Sequence, residues 1–111
     1  MKQIKLDDLP STFVSHHEKI TKQVIVKNGD VPHLAQLAQA TLRQGQKVEE
    51  HAHQDMTEIF FVKQGLGRIT VDSKEYALET GVCIVVEPKE KHSLVCLSEE
   101  PLVLLYFGVV K

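Results

Sequence analysis

Short apolar runs, several alternating with polar residues, recur along this chain, and each is stopped by glycine, proline or a cluster of small polar residues. Val24-Ile25-Val26 ends at Asn28-Gly29-Asp30. Glu58-Ile59-Phe60-Phe61-Val62-Lys63 is closed by Gly65-Leu66-Gly67. Arg68-Ile69-Thr70-Val71 meets Asp72-Ser73 and returns as Lys74-Glu75-Tyr76-Ala77-Leu78, a hairpin with a tight turn. Glu79-Thr80-Gly81 precedes Val82-Cys83-Ile84-Val85-Val86, which Pro88 stops. His92 to Leu97 runs into Ser98-Glu99-Glu100-Pro101, and Leu102 to Val110 forms the last run. Many short strands with regular punctuation predict an all-β sandwich or barrel.

One segment carries two signals. Leu34-Ala35-Gln36-Leu37-Ala38-Gln39-Ala40-Thr41-Leu42 is rich in helix formers, and Leu34, Leu37, Ala38 and Thr41 would share a helical stripe. Its second half alternates, with Ala38, Ala40 and Leu42 on one face. The surrounding strands favour an extended segment, with packing overriding local propensity.

Val82–Val86 and Leu102–Val110 are apolar on both faces. A barrel buries only the inner one, and large exposed apolar patches are rare on monomers. The outer face therefore needs a cover, and the expectation is a homodimer.

Composition narrows the class. The 111 residues suffice for one domain with one core, an N-terminal arm over about 1–20 and a barrel over about 21–110. Net charge is -2 with scattered lysines and arginines, so the basic stripe of a nucleic-acid binder is absent. No run approaches the roughly 20 apolar residues of a membrane helix, and the N-terminus lacks the apolar core of a signal peptide. These features predict a soluble cytoplasmic protein. Cys83 and Cys96 form no Cys-x-x-Cys pair and lie in apolar runs, as reduced core thiols do.

The candidate chemistry lies in four residues. His51 and His53 are one residue apart, so on an extended strand both imidazoles share a face. Glu58 opens the next strand, and His92 opens a later one beyond a proline-containing turn. Imidazole and carboxylate are good ligands for divalent transition metals. His16, His17 and His33 stand outside this pattern and are expected in surface or core roles. There is no Gly-x-Ser-x-Gly elbow and no phosphate loop.

The spacing Gly45-x5-His51-x-His53-x4-Glu58-x6-Gly65 resembles the first motif of the cupins at every fixed position. The second cupin motif, Gly-x5-Pro-x-Gly-x2-His-x3-Asn, is matched at Gly81 and His92. Glu87 stands where proline is usual, with Pro88 one place later; Lys89 replaces the second glycine and Cys96 the asparagine. The resemblance covers roughly residues 34 to 109. It implies a double-stranded β-helix, or jelly-roll, barrel. It also implies one divalent ion, Mn, Fe, Ni, Zn, Cu or Co, held by His51, His53, Glu58 and His92. Four ligands of a six-coordinate ion leave two positions for water, oxygen or a chelating substrate. Losing glycine at Lys89 is expected to alter the turn and spare the ligands.

Strand parity extends the site. Phe60 and Val62 share a face with Glu58. Cys96 shares one with His92. Tyr106 and Phe107 lie on opposite faces of the last strand, so one of them, taken as Tyr106, lines the interior. Gln54 and Asp55, between the ligands, are placed to hydrogen-bond a ligand imidazole. Three functions follow. The first is a metal-dependent enzyme on a small, chelating, oxygen-rich substrate: a dioxygenase, or an isomerase or decarboxylase with Glu58 as base. The second is a non-enzymatic module binding a sugar or other small molecule. The third is a structural metalloprotein.

Overall fold

A computed structural model describes residues 1–14 and 17–111, with only the backbone of residues 17 and 18. His16 and the side chains of His17 and Glu18 therefore lie outside the described residues. Ten strands follow a short 3-10 turn at Leu6–Asp8: β1 (Thr12–Val14), β2 (His17–Val26), β3 (Leu34–Leu42), β4 (Lys47–His51), β5 (Met56–Gln64), β6 (Leu66–Val71), β7 (Lys74–Glu79), β8 (Cys83–Val86), β9 (His92–Cys96) and β10 (Leu102–Val110). They form two antiparallel sheets, ordered β1-β2-β3-β10-β5-β8 and β4-β9-β6-β7. This is the expected all-β jelly roll.

The ambiguous segment is β3, an inner strand paired with both β2 and β10. β10 pairs along it from Leu34 to Leu42 and β2 from Leu37 to Thr41, and Ala38, Ala40 and Leu42 turn into the core. A helix there would leave the facing edges of β2 and β10 unpaired, which explains why propensity loses.

The sheet begins earlier in the chain than the pattern suggests. Thr12–Val14 already pairs with β2, and Ile20 is fully buried. Strand β4, which carries His51, is also missed by apolar alternation, because Lys47-Val48-Glu49-Glu50-His51 offers one apolar residue. Its partner β9 holds it: Val48 pairs with Leu94 and His51 with His92.

One continuous core fills the space between the sheets. Leu42, Val62, Ile69, Leu78, Leu102 and Leu104 are its largest wholly buried aliphatic members with Ile20. Gly65 is fixed by contact. Its φ is +89°, and a Cβ there would lie 2.5 Å from the Pro101 carbonyl oxygen.

The outer face of β5, β8 and β10 is apolar. Phe61, Val85 and Val109 are each more than 40% exposed. Leu105 pairs with Phe61, Phe107 with Ile59, and Ile59 with Val85, so these side chains are neighbours on one surface. No helix of the described residues is long and apolar enough to cross a membrane.

Candidate metal centre

Three backbone pairings assemble the four donor residues. His51 ends β4 directly opposite His92, the first residue of β9. Glu58 sits on β5 between Gly108 and Val86. His53 lies two residues beyond the end of β4, off the strand that was expected to carry it. Its position is secured instead by the β8–β9 loop, where the Lys89 amide donates to the His53 carbonyl at 2.6 Å.

In that loop Lys89 stands where the second cupin motif has its second glycine. Lys89 has φ +73°, the left-handed conformation that glycine adopts without strain. The lysine bears the strain of this conformation while its amide holds the His53 carbonyl.

The imidazoles converge. Ring centroids are 4.3 Å apart for His51 and His92, 5.1 Å for His51 and His53, and 5.6 Å for His53 and His92. One ligand atom from each of His51, His53, Glu58 and His92 lies within 4.8 Å of all the others. His92 and Glu58 are buried, and the other two are half-buried.

Hydrogen bonds orient two rings by the same device. His51 Nδ1 donates to the Glu49 carbonyl at 2.8 Å, and His92 Nδ1 donates to the Glu90 carbonyl at 3.1 Å. A carbonyl only accepts, so Nδ1 carries the proton in each, and in the neutral rings Nε2 presents its lone pair. These two main-chain carbonyls hold the role foreseen for Gln54 and Asp55, both of which are exposed.

His92 Nε2 lies 3.2 Å from Glu58 Oε1, and His53 Nε2 lies 3.4 Å from the same oxygen. Burial acts to lower the His92 pKa, but the hydrogen bonds to Glu58 and to the Glu90 carbonyl, with the charges of both glutamates, outweigh it and raise it above 6.5. His53 Nε2 is the informative atom. It is buried with no hydrogen-bond partner, despite its proximity to Glu58. Such an orphan costs about 1–3 kcal/mol. A cation between the rings and the carboxylate satisfies it, and three imidazoles with one carboxylate suit a divalent transition metal. The cluster can therefore hold a metal ion.

A cavity of about 200 Å³ opens beside the donors. His51, His53 and Glu58 line one end. Phe60 and Tyr106 line it as expected, with rings stacked at 5.9 Å. Phe107 is on the opposite face. Val62 and Cys96 are corrections: both are buried in the core and neither borders the cavity. Cys96 is four residues along β9 from His92, about 13 Å of extended chain. Its thiol turns to the Ser98 carbonyl at 3.6 Å. Parity fixes which face a side chain takes, and distance along the strand decides what it meets there.

Lys22, Gln36 and Met56 are among the wall residues that escaped the sequence reading. The signal was present in alternation. Lys22 follows Ile20 by two, Gln36 precedes Ala38 by two, and Met56 precedes Glu58 by two. Met56 covers Gly108, where a Cβ would meet its sulfur. Tyr106 accepts a hydrogen bond from the Gln36 amide at 3.4 Å. Burial, and after it the charge of Glu58, pushes its phenol up to about 12 against the opposing effect of that bond.

The chain is similar to known proteins along nearly its whole length. It is 26% identical over 106 residues to the uncharacterized protein MJ1618 of Methanocaldococcus jannaschii, covering 95% of this chain and 85% of that one. Its fold matches a predicted oxalate decarboxylase from Thermotoga maritima at TM-score 0.91 and 16% identity, over 99% of this chain and 100% of the other. It matches KdgF from Halomonas sp. at TM-score 0.83 and 19% identity, over 99% and 96%. An RmlC-like cupin from Shewanella frigidimarina follows at TM-score 0.79 and 16% identity, over 100% and 93%. The cupin domain model matches residues 38–108, a stretch that contains all four donors and both glycine-bounded motifs, and the chain belongs to the cupin family.

Proposed function

We propose that this cupin is a metal-dependent enzyme acting on a small, chelating, oxygen-rich substrate. The observation that carries the reading is the cavity against the donor cluster. A structural site closes its coordination shell with protein ligands, whereas a catalytic one keeps positions open toward a substrate. Here His51, His53 and Glu58 line a space large enough for a molecule, which weighs against a purely structural ion.

His51, His53, His92 and Glu58 would hold the ion. When bound, a divalent ion supplies Lewis acidity to two substrate oxygens and, for a redox-active metal, access to oxygen chemistry. The chain's own residues do the rest. The carbonyls of Glu49 and Glu90 fix the tautomers of His51 and His92. Phe60, Leu94 and Leu104 give the cavity an apolar wall that excludes water. Tyr106 keeps its proton at neutral pH and presents a donor to an oxyanion. Glu58 has a carboxylate oxygen to take up a substrate proton, as an isomerase or decarboxylase requires. The description of the Thermotoga maritima neighbour as a predicted oxalate decarboxylase supports a small oxygen-rich acid as substrate.

Metal-free protein reloaded with Mn, Fe, Ni, Zn, Cu or Co, then offered β-diketones, enediols and hydroxy-acids, tests this. Oxygen consumption with product assigns a dioxygenase, and conversion without it assigns an isomerase or decarboxylase. Absence of turnover with every loaded metal overturns the enzyme reading.

The protein also assembles as a homodimer through the outer face of β5, β8 and β10. Phe61, Val85 and Val109 gain a cover there that one chain does not supply.

A further inference from the structure

We propose that Lys22, Gln36 and Tyr106 form an anion-binding end of the cavity, so that the ligand is a short dianion: a chelating hydroxy- or keto-carboxylate at the donor end, a hydrocarbon middle and a second carboxylate at Lys22. The proposal rests on the metal reading of the donor cluster and names the class of molecule that site takes.

Charge is the first argument. Lys22 is the single lysine or arginine among the described residues lining the cavity. It is half-buried, and its Nζ lies 3.5 Å from the Gln36 Oε1, a neutral oxygen. Among the described residues, its ammonium forms no ion pair with a carboxylate. At the other end, a divalent ion with the Glu58 carboxylate and three neutral imidazoles carries one net positive charge. A loaded cavity thus has formal positive charge at both ends, and a dianion neutralises both. A monoanion leaves one charge uncompensated in a partly desolvated space, and a neutral sugar leaves both.

Hydrogen-bond capacity is the second. Lys22 Nζ and Gln36 Oε1 make one contact, and Gln36 Nε2 then donates to Tyr106 Oη. The Tyr106 oxygen therefore accepts from Gln36, and its own proton remains to be donated. The ammonium has three protons and offers one to Gln36. Both groups have donors left for a carboxylate, which is acceptor-only when ionised.

Shape is the third. Glu58 on β5 and Gln36 on β3 both pair with Gly108 of the intervening β10. Two strand spacings, about 10 Å, separate their backbones. Met56, whose side chain covers Gly108, lies between them, and Phe60, Leu104, Ala40 and Leu94 also line the cavity. They contact carbon well and hydroxyls poorly, so the middle of the ligand is hydrocarbon. At about 200 Å³, the cavity equals the liquid volume of about seven waters and limits the chain to a few carbons.

The test uses the Co(II)-loaded full chain and two matched probes, 2-hydroxyglutarate and 2-hydroxypentanoate. They share the chelating end and the carbon count and differ in the terminal carboxylate. Cobalt absorption reports metal uptake, and calorimetry reports probe affinity. The expected result is a preference of roughly tenfold or more for 2-hydroxyglutarate, the scale of a charge-assisted pair out of bulk water. Lys22→Met erases that preference while leaving cobalt uptake and 2-hydroxypentanoate affinity within about twofold. Lys22→Arg, which retains the charge, preserves part of it. If cobalt binds but the two probes bind alike, or Lys22→Met weakens both equally, the anion end is overturned and the metal reading stands. If cobalt does not bind, the metal reading falls and takes this inference with it.

Discussion

His51 and His92 face each other across the β4–β9 pair with ring centroids 4.3 Å apart, and each donates its Nδ1 proton to the carbonyl two residues before it. The same local bond, repeated at the facing ends of two strands, fixes both rings within the donor cluster and sets His92 Nε2 3.2 Å from Glu58. Preorganisation of this kind reduces what a metal must spend on ordering its ligands.

In the metal-free protein His53 touches the Glu58 carboxylate and the rings of His51 and His92, but its buried Nε2 makes no hydrogen bond. His53→Ala should leave the metal-free melting temperature within a few degrees of wild type. The stabilisation by metal should vanish. A ligand at a hundredfold excess over its Kd contributes about 2.7 kcal/mol, so the loss is readily measured. Paired melting scans with and without Zn(II) check it, and an undiminished Zn(II) shift in the variant would remove His53 from the ligand set.

The raised His92 pKa sets a pH dependence with a definite sign. A group whose folded value lies above its unfolded one stabilises the fold fully below the unfolded value, about 6.5, and that contribution disappears as pH rises through the folded value. In metal-free protein the stability difference between wild type and His92→Gln should therefore shift against wild type as pH climbs from about 6 through the raised value. Metal must displace the same proton, so affinity should climb over the same interval. Urea denaturation and metal titrations across pH 5.5 to 8.5 read both, and a metal affinity that is flat with pH contradicts the ligand role of His92.

Lys89 holds a left-handed backbone at φ +73° while its amide bonds to His53. Lys89→Gly relieves the strain, keeps the amide and loosens the unfolded chain. The net should be a gain of about 0.5–1 kcal/mol. Denaturant midpoints at constant slope measure it. A loss of stability would mean that the lysine side chain contributes more than its backbone costs.

The apolar outer face predicts assembly. Light scattering at micromolar concentration should return about 25 kDa, twice the 12.5 kDa of one chain. Val85→Glu and Phe61→Glu place a charge on that face and should return the monomer mass while leaving metal binding intact. Wild-type protein eluting at the monomer mass would refute the assembly.

The sequence alone carried an all-β sandwich or barrel for a local reason, and its resemblance to the cupin motifs carried the jelly roll and the donor set. Turn residues and apolar alternation are written in neighbouring positions, and the ligand spacing is fixed by strand period and loop length around His51, His53 and Glu58. It resolved Leu34–Leu42 by context, since packing between β2 and β10 outweighs the helix propensity of its alanines and leucines. What remained hidden depends on which strands lie opposite each other. Cys96 has the right parity and the wrong height along the barrel. Gln36 faces Glu58 across Gly108, and Lys22 reaches Gln36 from β2, so both come from strands far away in sequence. The orienting acceptors of His51 and His92 are main-chain carbonyls, which no side-chain pattern records. Only the tertiary structure decided these, because long-range register places groups in space and a linear pattern encodes only the face each one takes.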